Sequence, residues 1–283
     1  MAIEKVGVVG CGLMGSGIAQ VCATAGFTTT VSEVDDKRLQ AGLERIGAQL
    51  ARSVEKGKLR DNDKAAILAR LHGTTRLTDL AACDVVIEAA TENLEAKKQV
   101  FVTLDGILAK HALLASNTSS LTIVELAAAT QRPDRVLGLH FFNPVPVMKL
   151  VEVVRTIVTS DAAFAAARQF VVALGKDVVE AKDTTGFVVN RLLVPYMLDA
   201  IRCYEQGLAS KEDIDRGMKL GCGYPMGPFE LLDFVGLDTT LYIAEIMFEE
   251  FREPRFAPPS LLRRMVLAGH LGKKSGRGFY DYR

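Results

Sequence analysis

The chain has 283 residues, of which 49% are hydrophobic and 24% charged, with 34 basic residues balancing 34 acidic ones. That composition belongs to a globular protein large enough for about two domains, and a net charge of zero provides no global field for nucleic acid or an anionic membrane surface. No apolar run approaches the roughly 20 residues needed to span a bilayer, and five cysteines without a C-x-x-C pair read as reduced, mostly buried thiols, so that a cytoplasmic protein without a metal is expected.

In chain order, MAIEKVGVVG enters a strand pattern at once, with neither a secretory apolar core nor an Arg/Ser-rich transit segment. Val6 to Val9 is a β-branched run, and the hexapeptide Gly10, Cys11, Gly12, Leu13, Met14, Gly15 follows it directly. Residues 16–26 then carry apolar side chains at helical spacing, with Gly26 as a stop. Strand, glycine turn and helix form the setting that a G-x-G-x-x-G fingerprint requires. Gly10 permits the tight turn, Gly12 lets the backbone approach a pyrophosphate, and Gly15 lets helix and strand pack closely. The helix N-terminus offers its amides to the phosphates. A second strand, FTTTVSEV at 27–34, ends in Glu33, which can accept hydrogen bonds from an adenosine ribose and would repel a 2′-phosphate. The expected cofactor is therefore NAD.

Further along, the pattern predicts a long helix over 36–58, a shorter one over 61–70, strands at 85–90 and 112–118 around a helix at 95–109, and strands at 136–142 and 150–156. After residue 160 it reads as helical: 161–174, 186–206, 211–220, 228–251 and 259–268. The fold class is thus α/β, an N-terminal Rossmann-type doubly wound sheet over 1–184 followed by an all-α domain over 185–283, with the boundary near Thr184 to Gly186. The helix at 186–206 bears an apolar face of Phe187, Leu192, Leu193, Tyr196, Met197 and Ile201, suited to a core or to a subunit interface.

Four histidines are present. His72, His111 and His270 fall in polar or helix-end stretches and read as surface residues. His140 ends an apolar strand, at the edge where doubly wound sheets hold ligands. Glu152 lies inside the apolar strand LVEVV, where a charge needs a partner. If the two strands pair, the carboxylate and imidazole meet, as a general-base dyad or as a structural ion pair. Ser119, in SNTSSL, reads equally as a helix cap or as a donor to substrate oxygen, with Ser120 and Thr122 as alternative caps. Asn190, in GFVVNRLL, is either a donor to a developing oxyanion or half of an interhelical hydrogen bond.

Taken together, SNTSSL at 116–121, HFFNPVPVMKLVEVV at 140–154, GFVVNRLL at 186–193, DIDRGMKLG at 213–221, YPMGPFELLDFVGLD at 224–238 and GKKSGRGFYDY at 272–282 resemble the 3-hydroxyacyl-CoA dehydrogenase family over essentially the whole chain. The likeness is strongest to its stand-alone short-chain members. The resemblance implies NAD-dependent interconversion of L-3-hydroxyacyl-CoA and 3-oxoacyl-CoA, with 3-hydroxybutyryl-CoA and acetoacetyl-CoA as the expected pair. It implies that His140 takes the proton of the 3-hydroxyl, that Glu152 orients His140, and that Ser119 and Asn190 hold the reacting oxygen and the thioester end, Ser119 standing beside cofactor and acyl-CoA alike. It matches Glu92, Lys97, Asn143 and Lys274 to cofactor contacts, and it implies a homodimer built by the helical domain, which also contributes the substrate cleft.

For the phosphates of coenzyme A, Arg38, Arg45, Arg52 and Lys56 share a narrow face of the long helix. The resemblance points most directly to Lys56, with Arg52 beside it; the alternative is a solvated face paired with Glu44 and Glu55. Two departures stand out: Glu33 replaces the family's usual Asp, and Thr185-Gly186-Phe187 replaces Pro-Gly-Phe. A dehydrogenase of free β-hydroxy acids is the competing enzyme reading, although such enzymes use a lysine-based pattern. A nucleotide-binding structural protein is the non-enzymatic one, and it would not require Ser119, His140, Glu152 and Asn190 together.

Overall fold

The computed structural model describes residues 3–283, and these divide into two compact units, one ending at Thr184 and the other starting at Thr185. The first unit runs β1 (Lys5–Val9), α1 (Leu13–Thr24), β2 (Thr28–Ser32), α2 (Asp36–Glu55), α3 (Asp61–Ala69), β3 (Leu71–Thr74), β4 (Val85–Glu88), α4 (Leu94–Ile107), β5 (Leu113–Ser116), α5 (Ile123–Ala128), β6 (Val136–Phe141), β7 (Leu150–Arg155), α6 (Asp161–Ala173) and β8 (Asp177–Lys182). The strands form one sheet in the order β3-β2-β1-β4-β5-β6-β7-β8. All neighbours are parallel except β6 and β7. The order reverses between β1 and β4, the switch point at which doubly wound sheets bind ligands.

Parallel strands covered by helices are apolar throughout, and β4, β5 and β6 are buried at every position. One apolar layer joins Ile18 of α1, Ile46 of α2 and Phe170 of α6 to Val8, Ile87 and Leu139 of the sheet. Helix starts follow capping chemistry: the side chains of Asp35, Asn93 and Ser160 accept the amides of Arg38, Ala96 and Ala163.

The second unit contains α7 (Val189–Glu205), α8 (Lys211–Cys222), α9 (Pro228–Val235), α10 (Leu237–Phe251) and α11 (Ser260–Leu267). Leu198, Ile201, Phe229, Leu232, Met247, Phe256 and Leu262 form its core. Buried Asp215 accepts the amides of Phe229 and Glu230 and the Tyr280 hydroxyl. Buried Asp233 accepts the amides of Phe279 and Tyr280 and the Tyr282 hydroxyl, fastening the C-terminal segment. No helix among the described residues is long and apolar enough to cross a membrane.

Three elements differ from the sequence expectation. β3 and β8 form the two edges of the sheet, where the pattern gave only a polar stretch around His72 and only helices after residue 160. Edge strands carry polar and charged residues: β3 is LHGT and β8 is DVVEAK, so neither shows apolar alternation. The expected helix over 228–251 is two helices, broken at Gly236, whose φ of 103° lies outside the helical range. The apolar stripe on α7 also divides. Met197 and Ile201 are core, whereas Leu192 is 70% exposed, and Phe187 precedes the helix with a φ of 45°.

Candidate active site

The glycine turn joins β1 to α1, and each of its glycines meets a separate requirement. Gly10 has a φ of 95°, and a Cβ there would lie 2.8 Å from the Ala89 carbonyl oxygen. A Cβ on Gly15 would lie 1.9 Å from the Gly10 carbonyl oxygen, so only glycine allows α1 this close. At Gly12 a Cβ would meet nothing within 4 Å, which leaves the turn open to an approaching group. α1 has Gly12 as its N-cap residue, with no side-chain cap and no acid in its first turn, the arrangement that leaves helix amides and dipole to an anion. Glu33 stands beside the turn: its Oε2 accepts the Cys11 amide at 2.8 Å and its Oε1 the Val34 amide at 2.8 Å. Arg45 of α2 donates to the Cys11 carbonyl at 3.2 Å and the Ser16 hydroxyl at 3.3 Å. Burial, with the Glu33 carboxylate nearby, pushes the Cys11 thiol up to about 11, so it packs as a neutral side chain. An open turn, uncapped amides and a fixed acid at the end of β2 fit a dinucleotide.

His140 and Glu152 face each other in register across the antiparallel pair β6–β7. Their side chains meet at 2.6 Å between Nδ1 and Oε2. Glu152 is 0% and His140 5% exposed, and the Phe142 ring packs 4.5 Å from the imidazole. Directly opposed residues in an antiparallel pair have their side chains close by construction, which is why a twelve-residue separation in sequence becomes a contact. His111, by contrast, is exposed and touches Asp84 at 3.3 Å.

Ser119 lies in the connection between β5 and α5, and this loop is built on Glu92. The Glu92 Oε1 accepts the Ser119 amide at 3.1 Å and the Ser120 hydroxyl at 3.1 Å, and also the Thr118 hydroxyl. Lys97 of α4, only 2% exposed, places its ammonium 3.3 Å from Glu92 and 2.7 Å from Glu88. Burial alone would raise the Glu92 carboxyl; the Lys97 charge and the bonds from Thr118 and Ser119 outweigh it and hold the group below its ordinary range. The first α5 amides, of Ile123 and Val124, donate to the Asp183 carboxylate at 2.8 and 2.7 Å, while Thr122 bonds Glu125. Asn117 connects the loop to the histidine strand, its Oδ1 accepting the Phe141 amide at 2.9 Å.

The remaining predicted residues take various positions. Lys97 sits beneath the Ser119 loop, with carboxylates around its ammonium. Asn143 is exposed, just after β6, at a cis peptide to Pro144. Arg52 and Lys56 lie on the exposed last turn and C-cap of α2, and neither is ion-paired among the described residues. The basic stripe is not uniform, since Arg45 turns to the glycine loop and Arg38 pairs with Asp35. Asn190 and Lys274 belong to the second unit, Asn190 in the first turn of α7 and Lys274 2.6 Å from Asp238. Sequence reasoning missed Glu88 and Asp183. Glu88 carried a readable signal, an acid closing the apolar run VVIE, the same kind that drew attention to Glu152. Asp183 carried none, because its partners lie sixty residues away.

A doubly wound sheet with an open glycine turn at its switch point, and a buried imidazole–carboxylate pair on the same sheet, fits a nicotinamide-dependent dehydrogenase. Comparison with known proteins gives the family. Residues 5–184 match the 3-hydroxyacyl-CoA dehydrogenase NAD binding domain and residues 186–282 its C-terminal domain. The 3-hydroxybutyryl-CoA dehydrogenase of Mycobacterium tuberculosis is 54% identical over 283 residues, covering 99% of each chain. Human mitochondrial hydroxyacyl-coenzyme A dehydrogenase is 50% identical over 289 residues, covering 99% of this chain and 92% of that one. The crystal structure of (S)-3-hydroxybutyryl-CoA dehydrogenase from Ralstonia eutropha matches with a TM-score of 0.97 and 48% identity over 100% of both chains. The chain belongs to the 3-hydroxyacyl-CoA dehydrogenase family, and its cofactor is NAD.

Proposed function

We propose that this chain interconverts L-3-hydroxybutyryl-CoA and acetoacetyl-CoA, with His140 and Glu152 acting as a general-base dyad. The observation that carries the reading is the 2.6 Å contact between His140 Nδ1 and Glu152 Oε2 in a buried cross-strand pair. With Nδ1–H donated to the carboxylate, Nε2 is the ring's proton acceptor, and Glu152 stabilises the imidazolium formed when the proton arrives. NAD supplies the acceptor for the hydride leaving C3. The protein's work is to hold the alcohol, take its proton and exclude water. Ser119 donates to the reacting oxygen, and Asn190 keeps the role at the thioester end that the family resemblance gives it.

On the cofactor side, the turn from Gly10 to Gly15 takes the pyrophosphate and Glu33 the adenosine ribose. Glu92, Asn143 and Lys274 serve as further contacts, and Lys97 acts through Glu92. Lys56, with Arg52 next to it, takes a phosphate of coenzyme A, since both cations are exposed at one end of α2. The sheet unit is read as the cofactor domain and the helical unit as the substrate and dimerisation domain. Support for a homodimer comes from an apolar pocket of about 460 Å³ in the helical unit, lined in part by Leu192, Tyr196, Tyr224, Pro225, Met226 and Leu231. A cytoplasmic enzyme fits its five free cysteines.

The test is consumption of NADH with acetoacetyl-CoA, with NADPH and free acetoacetate as controls. Fast NADH oxidation that requires the CoA ester is expected. Oxidation with free acetoacetate would transfer the reading to free β-hydroxy acids, and folded but inactive protein would overturn it.

A further inference from the structure

Glu88 has no part in the reaction as described, yet it is fully buried and its carboxylate is saturated. Its Oε1 accepts the Ala90 amide at 2.8 Å and the Lys97 ammonium at 2.7 Å; its Oε2 accepts Lys97 at 2.8 Å and the Ser116 hydroxyl at 2.7 Å. The preceding residues of β4, Val85 to Ile87, are buried hydrophobics, and another would fill the fourth position without the desolvation cost of an ionic group. What the carboxylate adds is directional hydrogen bonding, and those bonds lead to one place.

We propose that Glu88 is a positioning residue that sets the Ser119 hydroxyl through two arms. The first arm is Ser116, opposite Glu88 in the β4–β5 register, whose hydroxyl accepts the Thr118 amide at 3.2 Å. The second is Lys97, which spans Glu88 and Glu92, and Glu92 carries the Ser119 amide, the Ser120 hydroxyl and the Thr118 hydroxyl. The Glu88 backbone adds a third hold, its carbonyl accepting the Asn117 amide at 2.8 Å. Residues 117–120 therefore rest on Glu88 directly or through one or two side chains. The inference rests on the proposed role of Ser119 toward the reacting oxygen.

Glu88→Gln keeps the shape but replaces one oxygen with a donor and removes the charge. The Lys97 ammonium then turns wholly to Glu92 and draws that carboxylate away from the Ser119 amide. Because small misplacements of a group at the reacting atoms cost rate rather than binding, kcat should fall about tenfold or more while KM for acetoacetyl-CoA changes less than about threefold. NADH should bind with wild-type stoichiometry, which excludes a loss of folded enzyme. The decisive measurement is a double-mutant cycle with Ser119→Ala. With the positioned hydroxyl gone, Glu88→Gln should cost less than about twofold further, whereas a merely structural role would multiply the two losses. Ser116→Ala, a small change that cuts only the first arm, should show the same non-additivity and decides the matter if Glu88→Gln does not fold. Multiplicative losses in either cycle, or a Ser119→Ala enzyme as fast as wild type, would overturn the inference while leaving the proposed reaction intact. A folded wild type that does not oxidise NADH with acetoacetyl-CoA would remove the reaction, and the inference with it.

Discussion

Glu152 in the sheet unit and Asp233 in the helical unit are both almost wholly buried carboxylates, 0% and 1% exposed, yet their partners suit them to different work. Asp233 accepts two backbone amides and a tyrosine hydroxyl. None of these donors changes protonation near neutral pH, so the carboxylate can only fasten. Gly278 seals the arrangement, since a Cβ there would lie 1.9 Å from an Asp233 oxygen. Glu152 meets an imidazole, the side chain whose proton is exchanged most readily near neutrality. A buried acid therefore marks a reactive site through the chemistry of its partner, and burial alone does not separate the two cases.

The largest effect that could break this contrast lies at the dyad. His140→Ala should lower turnover about a thousandfold, within the usual 10²–10⁴ contribution of a positioned acid–base group, with NADH affinity measured by fluorescence titration unchanged. Glu152→Gln should act in the same direction and leave a folded protein. Normal turnover by His140→Ala would remove the base assignment. Next in size, Asp233→Asn places an amide donor among the donors of the C-terminal segment and should cost about 3 kcal/mol of unfolding free energy in urea, since unpaired buried amides each cost about 1–3 kcal/mol. Its surviving folded fraction should keep wild-type kcat. If kcat per folded molecule falls as far as in Glu152→Gln, the distinction between fastening and reacting carboxylates is wrong.

The same contrast explains what the sequence made legible. The glycine turn could be read because its requirements are local: Gly10, Gly12, Gly15 and the acid after β2 lie within one βαβ stretch. The His140–Glu152 pair could be read because a charge inside an apolar strand demands a partner, and two strands joined by a short connection supply one. Edges were not legible. β3 and β8 are held by backbone pairing with β2 and β7, which leaves no periodic apolar signature in LHGT or DVVEAK. Nor were the long-range fastenings, since Asp183 on the α5 amides and Asp233 on the amides of Phe279 and Tyr280 join segments distant in sequence. The break at Gly236 was hidden because apolar spacing continues from α9 into α10 while the backbone turns.

A smaller effect sharpens the cofactor side. Glu33→Ala removes the carboxylate from the Cys11 amide and from the proposed ribose contact, and should weaken NADH about tenfold, the worth of one charge-assisted hydrogen bond of about 1.5 kcal/mol. Discrimination against NADPH should narrow at the same time. Unchanged affinity for NADH would remove the ribose contact and leave Glu33 as a brace of the glycine turn only.

The smallest effect sets the two units against each other by sign. Glu92 is held below its ordinary value of 4.5, the Lys97 charge and hydrogen bonds outweighing burial. Its ionised form therefore stabilises the fold above about pH 4.5, and that contribution is lost as pH falls through the lowered folded value. Asp215 is raised above its ordinary 3.8 by burial, which its bonds from Phe229, Tyr280 and Glu230 offset only in part. Its contribution is fully present below the ordinary value and is lost as pH rises through the raised folded value. Unfolding in urea from about pH 7 down to about pH 3.5 should separate them. The stability gap between wild type and Glu92→Gln should shrink on acidification, while the gap between wild type and Asp215→Asn should widen. A gap that widens for Glu92→Gln would mean that Lys97 does not outweigh burial at Glu92, and a gap that shrinks for Asp215→Asn would mean that hydrogen bonds outweigh burial at Asp215.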